Sequence, residues 1–183
     1  FYRRDNWNQL MTQYPYIKLI ENSSSNISGL INGDTNLFIT QSAIEHFNYD
    51  LRYFQQIQSY IKKSKKNIIQ IHLFPSPVCL WLYLFHGVRQ YNFRSILQIV
   101  DIFKSTKSYY RIYPLGGNAS NIFHFKNITI PVLIKKSTAN IQNLYSYNEE
   151  LKKSVLHDQE RKISNNPSFY ALVIHSNYSK EIF

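Results

Sequence analysis

Between Ser42 and Phe74 the chain changes its hydrophobic period, and that switch constrains the fold more than any other feature of the sequence. Ile44, Phe47, Leu51, Phe54, Ile57 and Ile61 recur at three- and four-residue spacing, which on a helix gathers them into one buried stripe. Ser42-Ala43-Ile44-Glu45 has the S-x-x-E form of a capping box, so the helix is expected to begin at Ser42. It is expected to end in Lys62, Lys63, Lys65 and Lys66, where cations complement the negative end of the helix dipole. Ile68 to Phe74 then reads as a β-branched run of strand length closed by Pro75, and Leu37 to Thr40 reads as a strand before the helix. Strand, helix and strand in this order need a sheet on which the helix stripe can be buried.

The rest of the chain continues the alternation. Ser76-Pro77 offers an N-cap followed by a first-turn proline, and the segment from Val78 to Phe85 is the most apolar in the chain. Pro75, Pro77, His72 and His86 interrupt the longer apolar window around it, so a buried strand-turn-helix is expected and no transmembrane span. Phe93, Ile96, Leu97, Val100 and Phe103 predict a second amphipathic helix, Tyr109 to Tyr113 a strand, and Pro114 to Asn118 a turn. Ile128 to Ile134 and Ile141 to Tyr147 read as two further strands, Asn148-Glu149-Glu150 as the start of a helix, and Phe169 to His175 as the closing strand. The expected architecture is one domain over residues 1–183, α+β or α/β, with a central mixed sheet and helices packed on it. The order of elements also suits two similar β-α-β halves, 1–107 and 108–183.

Composition narrows the partners. Twenty-one Lys and Arg against eleven Asp and Glu give a net charge of +10, which suits an anionic partner such as nucleic acid, lipid head groups or an acidic protein surface. Hydrophobic residues at 44% and charged ones at 17% argue for a folded chain and against intrinsic disorder. Ile, Asn, Lys, Tyr and Phe are abundant while Ala has four representatives and Gly five. The abundant types are those spelled by A/T-rich codons, which organelle genomes favour and which A/T-rich bacteria, protists and viruses use equally.

Chemistry-bearing clusters are not evident in the sequence. The six histidines, at 46, 72, 86, 124, 157 and 175, show none of the H-x-H, HExxH or C-x-x-C relations of metal sites, and the single Cys79 lies in an apolar run. His72 and His175 occupy matching places in two expected strands, where they could face each other, but a lone strand histidine reads as a packed residue. Glu149 and Glu150 read as helix-start carboxylates rather than an acid/base pair. Leu115-Gly116-Gly117-Asn118-Ala119-Ser120-Asn121 is a glycine-rich loop whose amides could bind an anion, yet it lacks the GxxxxGK[ST] and GxGxxG spacings. The expectation is a protein that is not an enzyme and holds no cofactor and no metal.

Two surfaces remain. Lys62, Lys63, Lys65 and Lys66 are the candidate anion-binding run, and RNA is the anion that such a run beside many tyrosines would suit. Trp81, Tyr83, Phe85, Tyr109, Tyr110 and Tyr113 are more aromatics than a small core easily buries with every hydroxyl satisfied, and they are the candidate partner-binding residues.

From Ser108 onward the sequence SYYRIYPLGGNASN, then ITIPVLIKKSTANIQNLYSYNEELKKSVL, then NNPSFYALVIHSNYSKEI, resembles the C-terminal half of the 22-kilodalton Tic-like family of plastid protein-import chaperones. The matching features are the aromatic strand from Tyr110 to Pro114, Pro131-Val132, Leu144 to Tyr147, the helix from Glu149 to Leu156, and Asn166-Pro167 before the strand to His175. The resemblance implies a non-catalytic, chaperone- or docking-like protein of a plastid or other organelle, binding polypeptide through apolar surface. The residues alone leave two alternatives: a basic organellar RNA-binding or ribosomal protein, or a small structural subunit of an organellar membrane-associated complex, peripheral rather than spanning.

Overall fold

The computed structural model describes residues 4–20, 22, 26–83, 89–135, 144–160 and 166–181. Its frame is a four-stranded mixed sheet in the order β1-β2-β4-β3, where β1 is Leu37–Gln41, β2 Ile68–Pro75, β3 Ser108–Leu115 and β4 Phe169–Ser176. β1 runs parallel to β2, whereas β2 with β4 and β3 with β4 are antiparallel. The fold is therefore α+β, and its two halves differ in the sense of their strand pairing.

One sheet face is the core. The helices α2 (Asp50–Ser64) and α4 (Phe93–Ile102) cover it, burying Phe54, Ile57, Ile96 and Ile99 against Ile68, Phe74, Leu172 and Ile174. Alternate residues of β2 are buried while those between are half-exposed, as the two-residue period of a strand requires. The opposite face is more open: Leu37 and Ile39 of the edge strand are 48% and 60% exposed.

Several sequence expectations need correction. The helix does not begin at Ser42, which sits at φ 47° in the left-handed region; a single 3-10 turn, Ile44–His46, intervenes before α2. The capping box fails because Glu45 turns inward and is buried, instead of reaching back to Ser42. Tyr53 then joins Phe54, Ile57 and Ile61 in the buried stripe, while Leu51 stays exposed. Asn92 and Ser95 form the capping box of α4, a start signal that the apolar spacing alone did not show.

The largest correction lies after β3. Ile128 to Ile134 is helical rather than a strand: α5 (Asn118–His124) continues through a π turn, Phe125–Thr129, into α6 (Ile130–Lys135). The π turn falls just before Pro131, whose ring cannot donate to a carbonyl one turn back, and the wider turn absorbs that gap. Of the expected strand Ile141 to Tyr147, residues 141–143 lie outside the described residues and the remainder opens a long helix, Leu144–Glu160. Asn148, Glu149 and Glu150 are thus inside that helix rather than at its start. Two further helices among the described residues are α1 (Arg4–Gln13) and α3 (Cys79–Leu82), and the long helix Leu144–Glu160 is α7. Among the described residues no helix is long and apolar enough to cross a membrane.

Candidate functional site

The expected aromatic surface is divided by the fold. Ser76 accepts from the Val78 amide at 3.1 Å and starts the turn that becomes α3, which is only four residues long. So short a helix buries Cys79 and Leu82 and turns Leu80 and Trp81 outward, at 51% and 69% exposure. Trp81 lines an open groove of about 460 Å³ with Val78, Ile122, Phe125 and Lys126. Ile122 and Phe125 are themselves exposed, so an indole, an aliphatic side chain and a phenyl ring share one surface beside a cation. Phe125 and Ile122 were hidden from sequence reasoning because they lie between the expected turn, Pro114 to Asn118, and the strand expected from Ile128, where the structure has one continuous helix.

Tyr83 follows α3 and packs edge-on against His124, ring centroids 4.9 Å apart. Burial lowers the His124 imidazole below its usual range, so it is neutral at pH 7. These two rings flank an apolar hollow of about 280 Å³ at the end of the sheet, between Leu73, Leu115 and Val155. Phe85 lies outside the described residues.

The three β3 tyrosines point to both faces, because side chains alternate along a strand. Tyr110 is 44% exposed beside α4, on the core side of the sheet. Tyr109 lies on the other face and stacks on His175, centroids 5.0 Å apart and planes 15° from parallel. Tyr113 shares that face and is 39% exposed.

His72 and His175 do not face each other. In the β2–β4 register His72 is opposite Leu172 and His175 opposite Ile69, which puts the two imidazoles on opposite faces of the sheet. His72 is fully buried among the rings of Tyr53, Phe54 and Phe74. Its Nδ1 lies 2.8 Å from the Thr40 hydroxyl and its Nε2 3.3 Å from Gln70 Oε1, a pairing that suits a neutral ring donating to Gln70 and accepting from Thr40. Burial pushes its pKa down to about 3.

The lysine run ends α2 as expected. Lys62 and Lys63 occupy its last turn, and Lys65 is the C-cap in the left-handed region at φ 53°. Lys66 is committed within the chain, to Asp34 at 3.0 Å and to the Gly33 carbonyl. Lys62, Lys63 and Lys65 are exposed and, among the described residues, make no ion pair.

The glycine-rich loop does bind an anion, and the anion is the chain's own Asp158. From α7 this carboxylate accepts from the Ala119 amide at 2.9 Å, the Ser120 amide at 2.8 Å and the Ser120 hydroxyl at 2.7 Å. The loop's donors are thereby used internally, as a helix cap.

Among the described residues no three His, Cys, Asp or Glu side chains converge as a metal ion would require. Burial pushes the Cys79 thiol up to about 11, and its sulfur donates to the Ser168 carbonyl, which leaves little reactive thiolate at pH 7. No protein-family model matches the chain, and no curated protein matches it. What fold and surface define is a class: a small α+β domain that turns Trp, Phe and Ile side chains outward from short helices.

Proposed function

We propose that the protein is a non-catalytic interaction module of a plastid or other organelle, with chaperone- or docking-like character, which binds polypeptide through the surface around Trp81. The observation that carries this reading is Trp81 itself, 69% exposed on a helix of four residues and flanked by exposed Ile122 and Phe125. A Trp held in water next to other apolar side chains gives up burial that a partner can restore, and Trp is enriched where interfaces draw most of their affinity. Lys126 at the rim favours a partner segment bearing a carboxylate. A permanent role, as a subunit seated in an organellar membrane-associated complex through the same surface, differs from this reading only in the lifetime of the contact.

The test is recovery of partners by the tagged full chain from source tissue at low and high salt. Salt-resistant protein partners lost with Trp81→Ala are the expected result. Partners retained unchanged by that variant would overturn the assignment to this surface.

A second reading has its own observation: Lys62, Lys63 and Lys65 stand exposed at one helix end, as RNA phosphate would require. It predicts RNA that is retained at low salt, released by moderate salt, and lost when these three lysines are changed to Ala.

A further inference from the structure

The two edges of the sheet are unlike. β3 carries Arg111 and Pro114, a charge and a proline of the kind that keep an edge strand from pairing further. β1, Leu37-Phe38-Ile39-Thr40-Gln41, has no charge and no proline, and its register with β2 runs without a bulge. Leu37 and Ile39 stand largely in water on the open face, while Phe38 and Thr40 are buried on the other.

One bond fixes the direction of the main chain. Ile69 donates its amide to the Asn36 carbonyl at 2.9 Å and lies opposite Leu37 in the register. In a parallel pair a residue bonds to the neighbours of the one it faces, so Phe38 and Thr40, like the Asn36 carbonyl, turn toward β2. The amides and carbonyls of Leu37, Ile39 and Gln41 therefore point away from the sheet, where β1 is the last strand. Among the described residues no hydrogen bond reaches them.

We propose that β1 pairs edge to edge with β1 of a second copy of this chain, antiparallel and centred on Ile39, so that the two sheets join into one about a two-fold axis. The outward groups read the same in both directions from Ile39. With Ile39 opposite Ile39 of the second copy and Leu37 opposite Gln41, every outward amide meets an outward carbonyl, whereas other registers leave Leu37 or Gln41 unpaired. The occupant follows from what the edge lacks. A charged peptide meets no counter-charge along β1, while a second copy meets an uncharged strand, Ile39 against Ile39 and the aliphatic part of Gln41 against Leu37. Ile69 and Ile71 of β2 continue the apolar face on either side of the joint. A pair of five-residue strands buries less surface than a permanent interface, so monomer and dimer exchange with concentration. This edge is independent of the surface around Trp81.

The experiment is sedimentation equilibrium of the full chain over a dilution series, read together with amide exchange by NMR. The expected result is a monomer–dimer equilibrium in which the amides of Leu37, Ile39 and Gln41 exchange freely in dilute solution and become protected as the dimer forms, with Phe38 and Thr40 protected throughout. Ile39→Pro removes an outward amide and none of the bonds to β2, and it is expected to keep the circular dichroism of the parent. It should weaken the dimer about tenfold or more, since the two-fold axis deletes the bond twice. Ile39→Lys and Ile39→Glu should each weaken it as well, because each sets like charges opposite one another across the axis. Mixing those two variants in equal amounts should restore association, which damage to the fold would not allow. A monomer at every concentration, a dimer that leaves the three amides unprotected, a dimer that Ile39→Pro leaves intact, or a Lys and Glu mixture that associates no better than either variant alone would each overturn the proposal. Because Trp81→Ala leaves β1 intact, dimer formation and partner recovery through Trp81 fail separately.

Discussion

Asp158 and Ser120 are held together by two hydrogen bonds, from the Ser120 amide at 2.8 Å and its hydroxyl at 2.7 Å, across 38 residues of chain. The carboxylate stands close to the C-terminal end of α7, where the helix dipole disfavours it, and the donors at the start of α5 offset that placement. Asp158→Ala is expected to destabilise the fold by about 1.5–3 kcal/mol, the range for hydrogen bonds to a charged group, measured as a lower urea midpoint. Gly117→Ala should produce a similar loss for a steric reason, since its Cβ would lie 2.8 Å from Cγ and Oδ1 of Asp158. Unchanged midpoints in both variants would show that the contact between Asp158 and the start of α5 does not stabilise the fold.

Acid should destabilise the protein well above the carboxylate range. Burial holds His72 at about 3 in the folded chain, against an ordinary 6.5, so between these values the unfolded chain binds a proton that the folded one excludes. Stability contributed by the neutral ring is complete above 6.5 and is lost as pH falls toward 3. By pH 5 the loss from this one group is about 2 kcal/mol. Urea midpoints at pH 7 and pH 5 check it, and His72→Gln should flatten that difference. A variant with the slope of the parent would show that another group governs acid lability.

Asp158 adds to acid lability in the same direction. Burial, which alone would raise its pKa, is outweighed by the bonds from the Ser120 side chain and from the Ser120 and Ala119 amides, so it lies below the usual 3.8. Its stabilisation is present above that value and disappears as pH falls further. The slope below pH 4 should therefore shrink in Asp158→Asn, whereas the loss between pH 7 and pH 5 should persist in that variant.

Lys65 offers a stabilising change. It ends α2 at φ 53° and ψ 14°, a conformation that costs a side chain and suits glycine. Lys65→Gly is expected to gain about 0.5–1 kcal/mol, read as a higher thermal midpoint, and a lower midpoint would contradict the cap geometry.

Surface and core should separate cleanly. Trp81→Ala is expected to change stability by less than about 0.5 kcal/mol, because the indole is already in water. Ile57→Ala, at a fully buried position of α2, should cost about 2–5 kcal/mol through lost transfer energy and the cavity left behind. Comparable losses in the two variants would mean that Trp81 is a packing residue.

What the residues determined by themselves is the part of the fold carried by local period. The alternation from Ile68 to Phe74, the stripe Phe54-Ile57-Ile61, and the apolar run of β4 each name their element, because the same side chains that set the period also meet the core. The solvated lysines at the end of α2 were legible too, whereas the segment around Trp81 was expected to be buried and instead turns Leu80 and Trp81 into water. Tertiary structure decided the rest. Ile128 to Ile134 has strand-forming residues, yet it follows a helix whose start is capped by Asp158, and a β-branched run is too weak a preference to overrule that continuation. The anion of the glycine-rich loop was likewise unreadable, because it comes from the distant helix α7. Which tyrosines of β3 meet a groove, and which of its amides turn toward β4, depend on a register with β4 that pairs Ser108 with Ser176 and so exists only once the chain has closed on itself.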